Sequence, residues 1–225
     1  MSDTESFISE VNDEVRRDRF YFMLRRYGWI AAVLVVLIVG GAAFNEYRKA
    51  QAQAKAQAFG DDVLAAMSQG NAEERLDRLS VIDAQDATTR AVLEMLIAGE
   101  AQATGDTEAA IASLEGVAVN GEVPAIYQQI ASFKLLVAQG DTLDVDTRRQ
   151  QFEALAQPGA PLSFLAQEQL ALIDISQGET QAAIERLQNI AQAAGVSSDL
   201  QQRALQVIVS LGGELDVANL PDTGN

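Results

Sequence analysis

The sequence predicts an all-α protein: an N-terminal transmembrane helix followed by an α-solenoid of about four degenerate helix pairs. Three observations carry that expectation. The segment 27–44, YGWIAAVLVVLIVGGAAF, runs from end to end without a charge. Beyond it, Gly70, Gly105, Gly140 and Gly178 punctuate helix-forming sequence at nearly even intervals, the last slightly longer than the first two. No alternating run bounded by turn residues occurs anywhere, and a chain rich in Ala, Gln and Leu with only 4 Pro favours helix.

The apolar run comes first. At about 1.5 Å per residue it spans roughly 27 Å, close to the ~30 Å hydrocarbon core of a bilayer. Tyr27 and Phe44 bound it. Arg25 and Arg26 stop it on one side; Asn45, Glu46, Arg48 and Lys49 stop it on the other. Tyr27, Trp29 and Tyr47 lie where interfacial aromatics belong. A cleaved signal peptide is the competing reading, and Gly40-Gly41-Ala42 loosely resembles a small-residue cleavage site. However, the segment 1–26 that precedes the run is long and rich in acids, and helix-forming sequence follows without a break. An uncleaved signal anchor is the better reading. Arg16, Arg17, Arg19, Arg25 and Arg26 precede the span, against Arg48, Lys49 and Lys55 after it. That bias places residues 1–26 in the cytoplasm and the rest outside.

Two segments flank the span. The tail carries Phe7, Val11, Val15 and Phe22 at helical spacing, with early acids suited to a helix N-terminus. Two readings of it stand: a helix lying on the inner membrane surface through Phe20, Tyr21, Phe22 and Leu24, or a partly disordered tail. Residues 45–60 are rich in Ala and Gln and lack Gly and Pro until Gly60, so the span is expected to continue outward as a helical stalk.

Residues 61–225 form the repeat domain. In each unit the Gly is expected to end one helix in the left-handed conformation, and a following Asn, Asp or Thr to cap the next. Helices are expected over about 49–68, 72–81, 88–103, 107–117, 124–139, 147–156, 162–177, 180–194 and 198–211. Gly121-Glu122-Val123-Pro124 and Pro158-Gly159-Ala160-Pro161 break the pattern between them.

The period, and the segments GDTEAAIASL and GETQAAIERL, resemble the tetratricopeptide repeat. That repeat places a small residue five after the Gly and a large apolar one next, as in Ala110–Ile111 and Ala183–Ile184, with Leu114 and Leu187 following. Ile97–Ala98 and Leu170–Ala171 resemble its preceding large–small pair. Two units depart. The Gly140 unit carries Leu143-Asp144-Val145 as an insertion and Ser132–Phe133 in place of the large–small pair. The Gly70 unit has Arg75 where a small residue belongs.

The whole arrangement is similar to the tetratricopeptide-like ancillary subunits of the bacterial SecYEG translocon: an acidic tail, RRYGW from Arg25, one span, an Ala/Gln stalk and degenerate repeats. The resemblance implies an inner-membrane protein with a periplasmic domain, whose partners are translocon subunits, periplasmic chaperones or exported chains. A scaffold for another envelope process, such as cell division or wall synthesis, is the alternative.

Chemistry is sparse. The chain has no His and no Cys, which removes imidazole and thiolate metal sites, Cys–His and Ser–His–Asp catalysis, and disulfides. A formal net charge of -16 argues against nucleic acid as partner, since phosphate binding needs a cationic face. Asp141, Asp144 and Asp146 fail the EF-hand spacing, because Leu143, Val145 and Phe152 stand where ligands are required. Asp61–Asp62 and Glu73–Glu74 are adjacent and point to different helix faces. Ser132 and Lys134, two apart, do so as well. No catalytic, cofactor or metal site is therefore expected, and the chain is read as a non-enzyme. Tyr127 and Lys134, seven apart in one helix, form the candidate groove for a peptide, with Met95 and Leu165 at comparable positions. The competing reading makes Tyr127 packing and Lys134 a solvated charge.

Overall fold

A computed structural model describes residues 3–214; for 3–24, Gly28, Ala31, Ala32 and Asp141 the backbone alone is described. The described residues form helices and turns without a strand. The helices are α1 (Asp3–Met67), α2 (Ala72–Ser80), α3 (Ala87–Thr104), α4 (Thr107–Ala118), α5 (Ala125–Gln139), α6 (Val145–Leu155), α7 (Ser163–Ser176), α8 (Thr180–Gln192) and α9 (Ser198–Ser210). The helices anticipated from 72 onward agree with these to within about two residues. The chain divides into two compact units between Ala58 and Phe59.

The first unit is the part of α1 that ends at Ala58. The helix runs without a break through Gly40-Gly41 and the Ala/Gln stretch, as their propensity leads one to expect. Its described side chains are exposed, Val36 and Leu37 at 69% each. Arg26 lies over the ring of Tyr27, 5.9 Å from its centroid, at the polar end of the apolar run. Among the described residues no helix is long and apolar enough to cross a membrane. Gly28, Ala31 and Ala32, inside the expected span, belong to the residues whose side chains are not described. So do the tail positions Phe7, Val11, Val15, Phe20, Tyr21, Phe22 and Leu24, and the cations Arg16, Arg17 and Arg19.

The second unit begins with the last turns of α1 and continues through α9. From α2 on, each helix packs on its successor, and α3 also meets α5. Four apolar clusters follow one another along the chain. Ala66 of α1, Leu79 of α2 and Leu93 of α3 form the first. Ala98, Leu114 and Ala131 join α3, α4 and α5. Leu136, Phe152 and Leu170 join α5, α6 and α7. Leu187, Leu200 and Ile208 close the series over α8 and α9. Helices α3, α5 and α7 each contribute to two successive clusters, which is how stacked helix pairs bury a continuous core. Burying one Leu fully contributes roughly 1.5–3 kcal/mol.

The small repeat positions identified in the sequence lie within this packing. Ala98, Ala110, Ala171 and Ala183 are all buried, at 2, 0, 0 and 0% exposure. A larger side chain at any of them would push neighbouring helices apart. Leu114, Leu170 and Leu187 are equally buried; Ile97 and Ile111 are half-buried.

The turns divide into two kinds. Gly105 and Gly178 take φ of 85° and 77°. In both, the next residue's N–H returns to a carbonyl five back: Asp106 to Ala101 and Glu179 to Asp174, each at 2.8 Å. This is the Schellman closure, and only Gly enters it without strain. The other two turns depart from expectation. Gly70 has no positive φ, and Asn71 caps α2 from extended backbone by accepting from the Glu74 N–H at 2.8 Å. Gly140, with φ 47° and ψ -127°, opens a 3-10 turn over Gly140–Thr142. The inserted residues explain it: Leu143 and Val145 pack on the α5–α7 cluster, and Asp144 between them caps α6 through the Thr147 N–H. Capping is thus carried by Asn71, Asp106 and Asp144, whereas no side chain caps α8.

Candidate functional site

The expected groove residues are both on α5 but have different surroundings. Tyr127 is half-buried against the α3–α5 cluster, as is Met95, and Leu165 packs on the α7–α9 cluster. Lys134 is exposed. Tyr127 therefore acts chiefly as packing, and the two residues do not line a common cavity. Ser132 donates to the Gln128 carbonyl at 2.8 Å, one turn back in its own helix. Among the described residues no group of three or more acidic side chains is placed to hold a metal ion.

Two clefts open elsewhere on the second unit. The larger, about 650 Å³, lies between α7, α8 and the α6–α7 turn. Phe164, Ile190 and Ala182 give it apolar walls; Gln167, Glu185 and Asn189 give it polar ones. The smaller, about 320 Å³, lies between α3 and α4, with Glu94, Ser113, Gly116 and Val117 among its walls. With Gly105 set on Gly178, these four positions fall on Gln167, Arg186, Asn189 and Ile190. The clefts are one feature of the repeat, displayed twice. The taller walls of the larger one come from its side chains, since Arg186 and Asn189 stand where the smaller has Ser113 and Gly116.

Beneath the larger cleft lies a carboxylate with no exposure at all. Asp174 accepts from Arg149 of α6 at one oxygen and from Arg186 of α8 at the other, the second at 3.1 Å. Arg149 continues to Glu179 at 3.3 Å, and Arg186 donates to the Gln167 side-chain oxygen at 2.6 Å. The hydrogen bond to Asp174 holds the Arg149 guanidinium above its ordinary pKa, against the opposing effect of burial. Two carboxylates face two guanidiniums, so the network is neutral, and Arg186 is fixed as a wall of the cleft instead of a mobile charge.

A simpler version joins α2 to α3. Arg75 donates to Glu100 at 2.7 Å. This accounts for the arginine standing where a small residue was expected. Both pairs, Arg75–Glu100 and Arg149–Asp174, are separated by 25 residues. The spacing alone does not single out Asp174, because Arg90 and Glu115 are also 25 apart and Arg90 donates instead to the Ala84 carbonyl. The cleft residues left no mark either, because Phe164, Gln167 and Asn189 look like ordinary helix positions. A bidentate pair, Arg203 on α9 to Glu168 on α7 at 2.9 Å through each nitrogen, ties the last helix down.

Comparison with protein-family models, with curated proteins and with solved structures finds no match to this chain.

Proposed function

We propose that this chain is a membrane-anchored protein–protein interaction module, held in the bacterial inner membrane by residues 27–44 with its repeat domain in the periplasm. Its proposed role is accessory to the Sec translocon, linking export to periplasmic chaperones. In this reading residues 61–225 are an α-solenoid of about four tetratricopeptide-like pairs, and no step of catalysis is involved.

The observation that carries the reading is the helix α1 itself. Val33, Leu34, Val35, Val36, Leu37, Ile38 and Val39 project from it with half or more of their surface exposed, apart from Val33 at 47%. A continuous run of that kind is costly in water and stable in hydrocarbon. The buried small residues of α3, α4, α7 and α8 support the repeat assignment, and the Sec assignment rests on the sequence resemblance.

Co-purification of the full chain in mild detergent, with photocrosslinkers at positions 33–39 and on α5 beside Tyr127, tests this. Recovery of translocon subunits or envelope chaperones is expected. Recovery of division or wall-synthesis proteins instead would transfer the module to another envelope process. Release of the protein from membranes by carbonate would overturn the anchor.

A further inference from the structure

Electrostatics narrows what the clefts accept. Residues 61–225 hold 25 acidic and eight basic residues. Among the described residues Arg75 is paired with Glu100, Arg149 and Arg186 with Asp174, and the half-exposed Arg203 with Glu168. The surface is therefore strongly anionic and disfavours phosphates, nucleotides and acidic lipid headgroups. At the larger cleft the arginine charge is cancelled from beneath, which leaves the exposed Glu185 as the uncompensated charge on its wall.

The polar groups narrow it further. Arg186 holds the side-chain oxygen of Gln167, which orients that amide with its NH₂ end left to donate. Asn189 presents an exposed amide on the same cleft, with donor and acceptor together. Such amides match the N–H and C=O groups of a main chain that is not already bonded to itself, as in an extended segment but not in a helix. Beside them the half-buried Phe164 and the exposed Ala182 offer apolar surface, with the buried Ile190 behind.

We propose that the α7–α8 cleft docks an extended cationic polypeptide segment, seating a Leu- or Phe-sized side chain on Phe164 beside Ala182 and a Lys or Arg against Glu185. This rests on the reading of the chain as an interaction module and names its partner by chemistry.

The test uses the full chain in phosphatidylcholine nanodiscs, with empty nanodiscs as blank. The probe is a fluorescein-labelled peptide of Leu-Lys pairs separated by Gly-Ser spacers, read by anisotropy. Binding is expected, and is lost when the peptide carries Ser for Leu or Glu for Lys. Ala182→Trp fills the cleft from an exposed position and weakens binding by about tenfold or more. Glu185→Lys weakens it as well, and Glu108→Lys, at the start of α4, leaves it unchanged. Circular dichroism melts of each variant guard against unfolding, and Asn189→Ala repeats the test with less bulk.

The proposal is overturned by absence of binding above the blank. It is equally overturned if Glu108→Lys weakens binding while Ala182→Trp does not, which would mean diffuse attraction. Binding that requires removal of residues 215–225 would make that segment the occupant. Self-association abolished by Ala182→Trp, with peptide binding intact, would make the occupant a second copy. Each of these outcomes is independent of whether translocon subunits co-purify, so failure here is distinguishable from failure of the proposed function.

Discussion

The pairs α3–α4 and α7–α8 keep the small residues that the sequence repeat predicts; α2 and α6 do not, and the balance of contacts differs between the two groups. In the first group a Gly closes the turn at positive φ and a fully buried Ala opens the second helix, Ala110 in α4 and Ala183 in α8. The helices then meet at a distance set by small side chains. In the second group the turn is irregular, and an arginine reaches 25 residues ahead to a carboxylate of the next helix. At the α4–α5 contact, by comparison, the described residues show an apolar cluster and no ion pair. Charge also bridges the regular α7–α8 pair, where Arg186 reaches Asp174 at 3.1 Å, but there it adds to the Ala183 contact, whereas at α2 and α6 the arginine stands in place of one.

The sharpest way to break this distinction is at Asp174. Asp174→Ala leaves Arg149 and Arg186 facing each other over an emptied site. A cost of about 3 kcal/mol is expected, as for removal of one partner of a buried pair, and chemical denaturation would measure it. The two guanidiniums remain about a quarter exposed, which limits the loss by letting them reach water. If Asp174→Ala proves neutral, charge is not what registers α6 against α7.

The regular pairs should fail by overpacking instead. Ala110→Leu adds bulk where exposure is zero, and about 2 kcal/mol of destabilisation is expected, with a similar loss for Ala183→Leu. Glu100→Ala, at the other degenerate contact, should cost less, about 1.5 kcal/mol. Arg75 there is partly exposed and also reaches the Gln69 carbonyl at 3.4 Å, so it keeps a partner. Salt should weaken the Arg75–Glu100 contribution and leave the alanine contacts untouched.

A weaker effect separates α3 from α5 and α7. Asp86 accepts from the Thr88 and Thr89 N–H groups at 2.9 Å each and completes a capping box, whereas α5 and α7 begin without a side-chain cap. The hydrogen bond from the Thr89 backbone, the largest influence, lowers the Asp86 pKa. A carboxylate depressed in the folded state adds stability above its unfolded pKa, and that stability is lost as pH falls through the folded value. Asp86→Ala should cost about 1 kcal/mol at neutral pH and progressively less in acid, by thermal melts across that range.

Much of this contrast was legible in the sequence, and the reasons for the remainder are specific. Small residues at Ala110 and Ala183 and the spacing of Gly105 and Gly178 carry local information, so helices and their pairing follow from them. The Gly140 unit was recognised as an insertion, but not its outcome, because a 3-10 turn and a shift of the cap to Asp144 depend on where Leu143 and Val145 find apolar contact. Lys134 was read as one side of a candidate groove, although it is exposed and does not share a cavity with Tyr127. Arg186 and Asn189 were not, since a cleft wall is a property of three elements meeting and no single segment encodes it. Tyr127 shows the same limit from the other side: its spacing to Lys134 fixes a shared helix face, but not how deeply each residue sits.

A comparison of two glycines discriminates most finely between the two kinds of turn. Gly105 and Gly70 occupy the same repeat position, and an added methyl would meet no atom within 4 Å at either. Only Gly105 has positive φ. Gly105→Ala should therefore cost about 1 kcal/mol through backbone strain alone, because a Cβ crowds the following carbonyl in that conformation. Gly70→Ala should be neutral, or stabilising by a few tenths of a kcal/mol through the lower entropy of the unfolded chain. The difference between the two variants, measured in one denaturation series, isolates the contribution of turn conformation from that of packing. Equal losses would mean that the Gly70 turn shares the left-handed closure of the regular pairs, and the division between them would then rest on their arginines alone.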